Sequence, residues 1–396
     1  MQELINAPRI LLLCGNHEIE WEILDQKALD HYTGNDNFVN LGPNMVAILE
    51  YRASTGKSDG WSLVDVLERF RYCKATDPRD LLFGILGLAH GNHGVVVDYT
   101  RPVKNVFMDL ALRIMHHSKD LETALSQCWL PQKLAELGVL PSWASNRLTP
   151  DSSTLRLRLV RNLYQAGKIE FEPPRTISQS GEICLNGRLL GRPKLACRAG
   201  LKSIHMDGER FYRCLRRFYQ NASSEALENY PITGESFDRA FWRTVLFDAR
   251  DKSGRLQESD LVLIDKLSLE FRKAEKPEDD FEFSEEYRGL LKDLLLIRKS
   301  SFHFTSTDTD LFAIVDYFTG DHDIIVVLDG SRVPMVLREA TSSSSGISVG
   351  KADYLTNTAL PKISYKIVGM CYVHGFMDGE AYWPKRGLKE ETFLIS

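Results

Sequence analysis

Residues 71–89, RYCKATDPRDLLFGILGLA, restrict the possible fold more than any other stretch of the chain. They predict the end of one helix, a sharp turn and the start of a second helix. Asp77 can cap the second helix by accepting backbone N–H groups, Pro78 suits the first helical position, and Asp80 suits the positive end of the helix dipole. Apolar residues then cover most of the helix circumference, at Leu81, Leu82, Ile85, Leu86 and Leu88. We therefore expect a buried helix, with glycines where a neighbouring backbone comes close.

The composition is that of an ordinary globular protein. The 396 residues are 43% hydrophobic and 26% charged, with a formal net charge of −5, which suits one or two domains and gives no overall attraction to nucleic acid or anionic lipid. The apolar run at residues 10–14 is too short to cross a bilayer, and no signal-peptide pattern precedes it. We therefore expect a cytoplasmic protein that binds neither nucleic acid nor membrane. The seven cysteines are scattered without C-x-x-C spacing, which predicts reduced thiols and no metal site.

Apolar periodicity predicts an α+β protein whose N-terminal half is mainly helical. A buried strand is expected at 10–14, and helices at about 21–30, 44–53, 62–70 and 100–115, with a capping-box pattern at Ser62 and Asp65. The polar residues 146–154 predict a boundary between a mainly helical region, 1–150, and an α+β region, 151–396.

The C-terminal half is expected to contain helices followed by a small antiparallel β-sheet or open barrel. A hairpin is predicted at 181–191, and helices at about 211–219, 237–246, 260–273 and 284–298. The β-rich segment covers about 300–381, and Asp329-Gly330 predicts a hairpin turn within it. The serine-rich residues 341–350 predict a flexible loop.

Several segments, in order along most of the chain, resemble one known family. The residues that carry the resemblance are Arg71, Asp77, Pro78, Arg79, Asp80, Gly87, Asp98, Tyr99, Trp143, Trp242 and Arg243, together with YKIVGMCYVHGFMDGEA at 365–381. They resemble the region that follows the signature domain in fungal heterokaryon-incompatibility (HET) proteins. The signature segments of that family, Tyr-x-x-Leu-Ser-Tyr-x-Trp-Gly and Asp-Ala-x-Cys-Ile-Asn-Gln, have no counterpart here. The resemblance implies a truncated member that acts in self/non-self recognition and cell death after cell fusion, with a protein partner and no cofactor.

The charged residues of the central stretch admit two interpretations. Paired carboxylates can serve acid–base chemistry with an arginine holding an anion, and Asp77, Arg79, Asp80 and Asp98 have those side chains. Caps and ion pairs that tie the turn to neighbouring helices use the same residues. We favour the structural interpretation here, because Asp77 already has a capping role.

The C-terminal motif gives the strongest candidate for a pocket. Its members are His374, Gly375, Asp378, Gly379 and Glu380. Three ionisable side chains in a glycine-bracketed turn can jointly line a site, although such turns are usually structural.

Other chemical patterns lack the local structure that their chemistry requires. TGKS at 55–58 has no glycine five positions before its own and no apolar strand before it, so it is not a phosphate loop. GISVG at 346–350 follows a run of serines rather than a strand, so it is not a nucleophile elbow. The pair His90/His93 has no third ligand close by in sequence, and His116/His117 end a helix, where the negative end of its dipole favours imidazolium, so neither pair predicts a metal site.

Two functions follow from these patterns. The first is a non-catalytic recognition or regulatory module. The second is an enzyme whose site lies near His374, Asp378 and Glu380.

Overall fold

The structure is a computed structural model that describes most of the chain. The described residues are 2–23, 43–54, 60–91, 93–118, 121, 125, 140–144, 161–169, 171–174, 181–194, 213, 215–220, 229–251, 254–273, 287, 290, 302–340 and 363–396. Some predicted features lie wholly or mostly outside them. These are the patterns at 55–58 and 346–350, the loop at 341–350, the boundary at 146–154, the helix at 284–298 and most of the helix at 21–30.

The described residues of the N-terminal part form helices of 4 to 16 residues and a two-stranded hairpin. Its elements are α1 (Gln2–Asn6), β1 (Leu11–Cys14), β2 (His17–Glu20), α2 (Pro43–Ser54), α3 (Leu63–Arg69), α4 (Asp80–Phe83) and α5 (Val103–Ser118). The predicted capping box is confirmed: the Ser62 hydroxyl accepts the backbone N–H of Asp65, and the Asp65 carboxylate accepts that of Ser62. The strand β1 is real but mostly exposed, so its predicted burial is wrong.

The central stretch forms a broken helix. α4 has only four residues and is followed by a 3₁₀ turn at Leu86–Leu88. Gly84 and Gly87 each lower helix propensity, by about 1 kcal/mol relative to alanine, which accounts for the break. Both glycines are exposed, so the expected close approach of another backbone is not observed. The apolar side chains around them are buried, at Leu82, Phe83, Ile85, Leu86 and Leu88.

Asp77 lies three residues ahead of this helix and does not occupy its N-cap. The N-cap residue is Arg79, and it makes no side-chain capping bond. Asp77 instead closes the preceding turn, because its Oδ1 accepts the backbone N–H of Arg79 at 2.9 Å. The predicted N-cap position is therefore wrong, although the carboxylate does hold a backbone N–H group.

In its described residues, the C-terminal part contains two complete helices, helical residues at 215–220 and many strands. Its elements are β3 (Ile183–Gly191), β4 (Pro193–Lys194), α6 (Phe237–Val245), β5 (Ala249–Asp251), β6 (Gly254–Arg255), α7 (Glu258–Lys273), β7 (Phe302–Thr307), β8 (Phe312–Asp316), β9 (Ile324–Leu328), β10 (Met335–Glu339), β11 (Ser364–Met370), β12 (Tyr372–Val373) and β13 (Glu390–Ile395).

Five of these strands form a closed barrel in the order β3, β9, β10, β11 and β13, with β13 returning to β3. All neighbours are antiparallel except β11 and β13, which pair in parallel through Ser364 opposite Leu394 and Tyr365 opposite Ile395. A second sheet has the order β12, β8, β7 and β4. β9 and β10 pair antiparallel, as the turn signal at Asp329-Gly330 predicts.

The predicted fold class is wrong for the C-terminal half. Strands dominate this half, they form several sheets, and the barrel is closed and contains a parallel pair. The segment at 181–191 is not a hairpin, because residues 183–191 form the single strand β3, which pairs with β9 and β13. The physical reason is that β3 and β13 are about two hundred residues apart, and apolar periodicity identifies a strand without identifying its partner.

The two predicted regions share one apolar core. A single cluster of buried side chains includes residues from α3 and α5 and also from the barrel strands. Backbone bonds join the two regions as well: the Ser142 N–H donates to the Ser396 carbonyl at 2.9 Å, and the Leu121 N–H to the Gly330 carbonyl at 3.0 Å. In the described parts of the chain, no helix is both long enough and apolar enough to span a membrane.

Candidate functional site

Helix α6 and the residues on either side of it position most of the candidate site. Ser236 caps the helix, and its hydroxyl accepts the backbone N–H of Arg239 at 3.4 Å. Most of the helix surface is buried, and Trp242 is fully covered. The carboxylate of Glu235 precedes the cap, Arg243 lies in the last turn, and Asp248 follows the C-terminal end.

Arg243 joins these two carboxylates. Its Nη1 lies 3.0 Å from Glu235 Oε2, and its Nε and Nη2 lie 2.8 and 3.0 Å from the two oxygens of Asp248. The second contact is a two-point fork, which a guanidinium forms and an ammonium does not. Burial opposes the charge of Arg243, but the hydrogen bonds and negative charge of Asp248, with the charge of Glu235, raise its pKa. The side chain therefore stays cationic.

Asp248 is presented by an unusual backbone turn. Phe247 and Asp248 have φ values of 57° and 47°, in the left-handed region that L-residues other than glycine rarely adopt. The Asp248 N–H donates to the Arg243 carbonyl at 2.6 Å, and the Tyr164 hydroxyl donates to the Phe247 carbonyl. These bonds hold a conformation that costs on the order of 1–2 kcal/mol per residue.

Arg255 extends the network to the C-terminal motif. Its Nη1 lies 3.3 Å from Asp248 Oδ2, and its Nη2 donates to Asp378. The guanidinium also stacks on Tyr164, with its carbon 4.6 Å from the ring centroid. Burial raises the pKa of Asp378, and the neighbouring charge of Arg255 opposes this effect only in part.

His374 forms the other end of the network. Its Nε2 lies 2.5 Å from Glu235 Oε1, its Nδ1 lies 3.0 Å from the Tyr372 hydroxyl, and the residue is only 2% exposed. Burial raises the pKa of Tyr372 well above its usual value, so it remains a phenol that can donate a proton. The ionised Glu235 carboxylate can only accept a hydrogen bond, so Nε2 of His374 is the donor in their contact.

The pKa of Glu235 lies far below its usual value. Burial opposes its ionisation, but the hydrogen bonds from His374 and Thr233 and the positive charge of Arg243 together lower its pKa to about 2. The network thus alternates in charge from Glu235 through Arg243, Asp248 and Arg255 to Asp378. Each of its carboxylates accepts at least one charged hydrogen bond or ion pair.

The sequence-predicted pocket residues point to different partners. His374 faces Glu235, Asp378 faces Arg255, and Glu380 turns back to accept the backbone N–H of Asp378 at 2.6 Å. Gly375 and Gly379 have φ values of 81° and 84°, which explains why glycine occupies both positions. His374 and Asp378 are therefore linked through the network, at opposite ends of it, rather than by converging on one point.

The residues of the central stretch form a separate cluster at the surface. Arg79 binds the Asp77 carboxylate through Nε at 3.0 Å and through Nη2 at 2.6 Å, and its Nη1 donates to the carbonyls of Tyr99 and Arg101. The Tyr99 hydroxyl donates to Asp80. These contacts join the turn before α4 to the segment before α5, which is a structural function.

The other family-like residues have structural surroundings. Arg71 donates to the Tyr72 hydroxyl at 3.1 Å, and the Asp98 carboxylate accepts the backbone N–H of Thr100 at 2.8 Å. Trp143 is fully buried, and its indole N–H donates to the Gly181 carbonyl at 2.7 Å. Pro78 lies in the turn before α4. Of the residues that carry the resemblance, only Arg243 and those at 372–380 enter the charge network.

Sequence reasoning missed several members of the network. Glu235, Asp248, Arg255 and Tyr372 were not candidates, although Arg243 was. An arginine within a largely buried helix requires carboxylate partners, and this was the available signal. The partners lie eight residues before and five residues after Arg243, and neither spacing follows a helical rule.

No group of three or more His, Cys, Asp and Glu side chains in the described residues is arranged to hold a metal ion. The histidine pairs at 90/93 and 116/117 are not brought into such a group: His116 and His117 are exposed at the end of α5, and His93 Nδ1 accepts the Val95 N–H at 3.2 Å.

Comparisons of the chain with models of protein families, with curated proteins and with solved structures found no match.

Proposed function

We propose that this chain is a non-catalytic recognition or regulatory module of the fungal HET family. In this proposal it acts in the cytoplasm, in self/non-self recognition and cell death, through a protein partner. The observation that carries the proposal is the charge network itself. Two segments that resemble the family, Trp242-Arg243 and residues 372–380, meet in it although they are far apart in the sequence.

The burial of the His374 end of the network supports a non-catalytic function, whereas the Asp378 side chain at the other end is 49% exposed. A general acid, base or nucleophile must reach a substrate atom. His374 is 2% exposed, Tyr372 is 1% exposed, and both ring nitrogens of the imidazole have partners. The network instead fits a role in holding α6 and β6 in place against the turn after β12. The net charge of −5 further supports a partner other than nucleic acid.

The test is a cell-fusion assay in a fungal host. Strains that express or lack the chain are fused with a panel of strains, and dead fusion cells are counted with a vital dye. We expect the chain to change the dead fraction in at least one pairing. Arg243→Ala, which removes the centre of the network, should behave like absence of the chain. Lys194→Ala is the matched control, because that side chain is about half exposed and pairs only with Asp310 among the described residues. Equal survival with and without the chain in every pairing would refute the proposal.

A second function is an enzyme with its site near His374, Asp378 and Glu380. The observation that favours it is the buried chain of hydrogen bonds from Tyr372 through His374 to Glu235. Buried ionisable groups with shifted pKa values gather at active sites. Purified protein should be assayed for NAD loss and for hydrolysis of ester and phosphoester probes. Turnover that Asp378→Asn abolishes without changing the unfolding midpoint would establish the enzyme and replace the module.

A further inference from the structure

The hairpin of β1 and β2 presents apolar side chains on its solvent side. Cross-strand partners share a face of the hairpin, so Leu11 and Leu13 lie on the same side as Glu20 and Glu18. Leu12 lies on the opposite face, where it packs against the core. Leu11 is 45% exposed and Leu13 is 70% exposed. The usual alternation places apolar residues toward the core and polar residues toward water, and this hairpin departs from it.

The base of this hairpin is firmly held. Trp21 and Ile10 are buried, and the backbone N–H of Trp21 donates to the Ile10 carbonyl at 3.2 Å. Arg52 on α2 donates to the carbonyls of Leu4 and Ala7 at 2.9 and 2.8 Å, and its guanidinium lies 5.5 Å from the Trp21 ring. The exposed face therefore has a fixed position on the protein, and little ordering is needed before it binds.

The chemistry of the face restricts its partner. Two leucines lie beside two carboxylates, and Glu18 forms no ion pair with any described residue, whereas Glu20 pairs with Arg9 at 2.6 Å. β2 is exposed at every position and pairs with no strand other than β1 among the described residues. An extended segment that lies across the exposed face, with apolar and basic side chains toward it, covers the leucines and neutralises Glu18.

We infer that the face formed by Leu11, Leu13, Glu18 and Glu20 is a docking surface for an extended, amphipathic and basic segment of a protein partner. The docking itself stands on the hairpin geometry alone, and its use in recognition rests on the proposed function. The cell-fusion assay and a binding assay therefore fail independently.

The test uses the full chain and fluorescein-labelled peptides of alternating leucine and lysine or alternating leucine and glutamate, measured by fluorescence anisotropy at several salt concentrations. We expect the lysine peptide to bind, with an affinity that falls as salt rises, and the glutamate peptide not to bind. Leu13→Asp should weaken binding at least about tenfold. Glu18→Lys should weaken it for the lysine peptide and create binding for the glutamate peptide.

Leu269→Asp is the matched control, because Leu269 is 56% exposed on α7 and lies outside the hairpin. It should leave the anisotropy curve unchanged. Equal affinity of the parent and Leu13→Asp for the lysine peptide would overturn the inference. A concentration-dependent dimer that Leu13→Asp abolishes, seen by analytical ultracentrifugation, would also overturn it, since the occupant would then be a second copy of this chain.

Discussion

Removing the charge of Glu235 should destabilise the protein by about 3 kcal/mol at neutral pH. Two estimates agree on this magnitude. The pKa of Glu235 falls from 4.5 to about 2, and at roughly 1.36 kcal/mol per pKa unit this corresponds to about 3 kcal/mol. Removing one partner of a buried ion pair costs roughly 3–5 kcal/mol of stability. The side chains of Glu235 and Arg243 are 14% and 28% exposed, so we expect a cost at the lower end of this range.

The pH dependence follows from the direction of that shift. A carboxyl whose pKa is lower in the folded state stabilises the fold above its unfolded pKa, and this contribution is lost as the pH falls through the folded value. For Glu235 the contribution is complete above 4.5 and declines toward about 2. The difference in unfolding free energy between the parent and Glu235→Gln should therefore shrink as the pH is lowered from 4.5 to 3.

The assay is urea denaturation at pH 7, 5.5, 4.5, 3.5 and 3, followed by intrinsic fluorescence. Glu258→Gln is the control, because that side chain is 76% exposed and lies 3.6 Å from its arginine. It should leave the midpoint nearly unchanged. This explanation of the network would be refuted if Glu235→Gln were as stable as the parent at pH 7. It would also be refuted if the difference in unfolding free energy between the two stayed constant below pH 4.5.

Three further predictions concern backbone, packing and thiols. Gly375→Ala should destabilise the fold by more than about 2 kcal/mol, because φ is 81° and the new Cβ would lie 2.5 Å from Ile232 Cγ2. Gly387→Ala is the control and should destabilise the fold less, because Gly387 has φ of 65° and open space around its Cβ position. Equal losses of stability in thermal melts would contradict the steric reason. His374→Gln should retain more stability than His374→Ala, because an amide keeps a bond to Glu235, and identical unfolding midpoints would exclude that bond as a contributor. Cys14 is exposed, while Cys371 is buried with its pKa raised, so native-state maleimide labelling mapped by mass spectrometry should modify Cys14 and spare Cys371.

Local features of the fold were predictable and long-range ones were not. The capping box at Ser62 and Asp65 depends on residues three apart, and the sequence alone identifies it. The helix at Phe237–Val245 also follows from its periodicity to within a residue. The closing pair of β3 with β13 depends on two segments that are distant in sequence, and the pattern of either strand carries no information about the other.

The candidate site divides in the same way. His374, Asp378 and Arg243 were identifiable because they lie in segments that resemble a family. Glu235 and Asp248 became recognisable only in three dimensions, because an ordinary acidic residue beside a helix gives no signal in the sequence. At Asp77 the sequence predicted a role that the structure does not show. The local pattern predicted a helix N-cap, but the helix begins three residues later and Asp77 closes the preceding turn.

Helix α6 is held by two different kinds of contact, and they have different consequences. On one side Phe241 packs against Phe218, which stacks on Phe304 at 5.4 Å, so aromatic burial attaches the helix to the second sheet. On the other side Arg243 enters the charge network. Apolar contacts supply most of the stabilisation but tolerate small shifts, whereas buried ion pairs add less net stability and require defined positions. The network therefore sets the orientation of α6 against the turn after β12, and it holds the Asp248 carboxylate between two arginines. A change that leaves the aromatic cluster intact but breaks the network should alter the shape of this surface before it unfolds the protein.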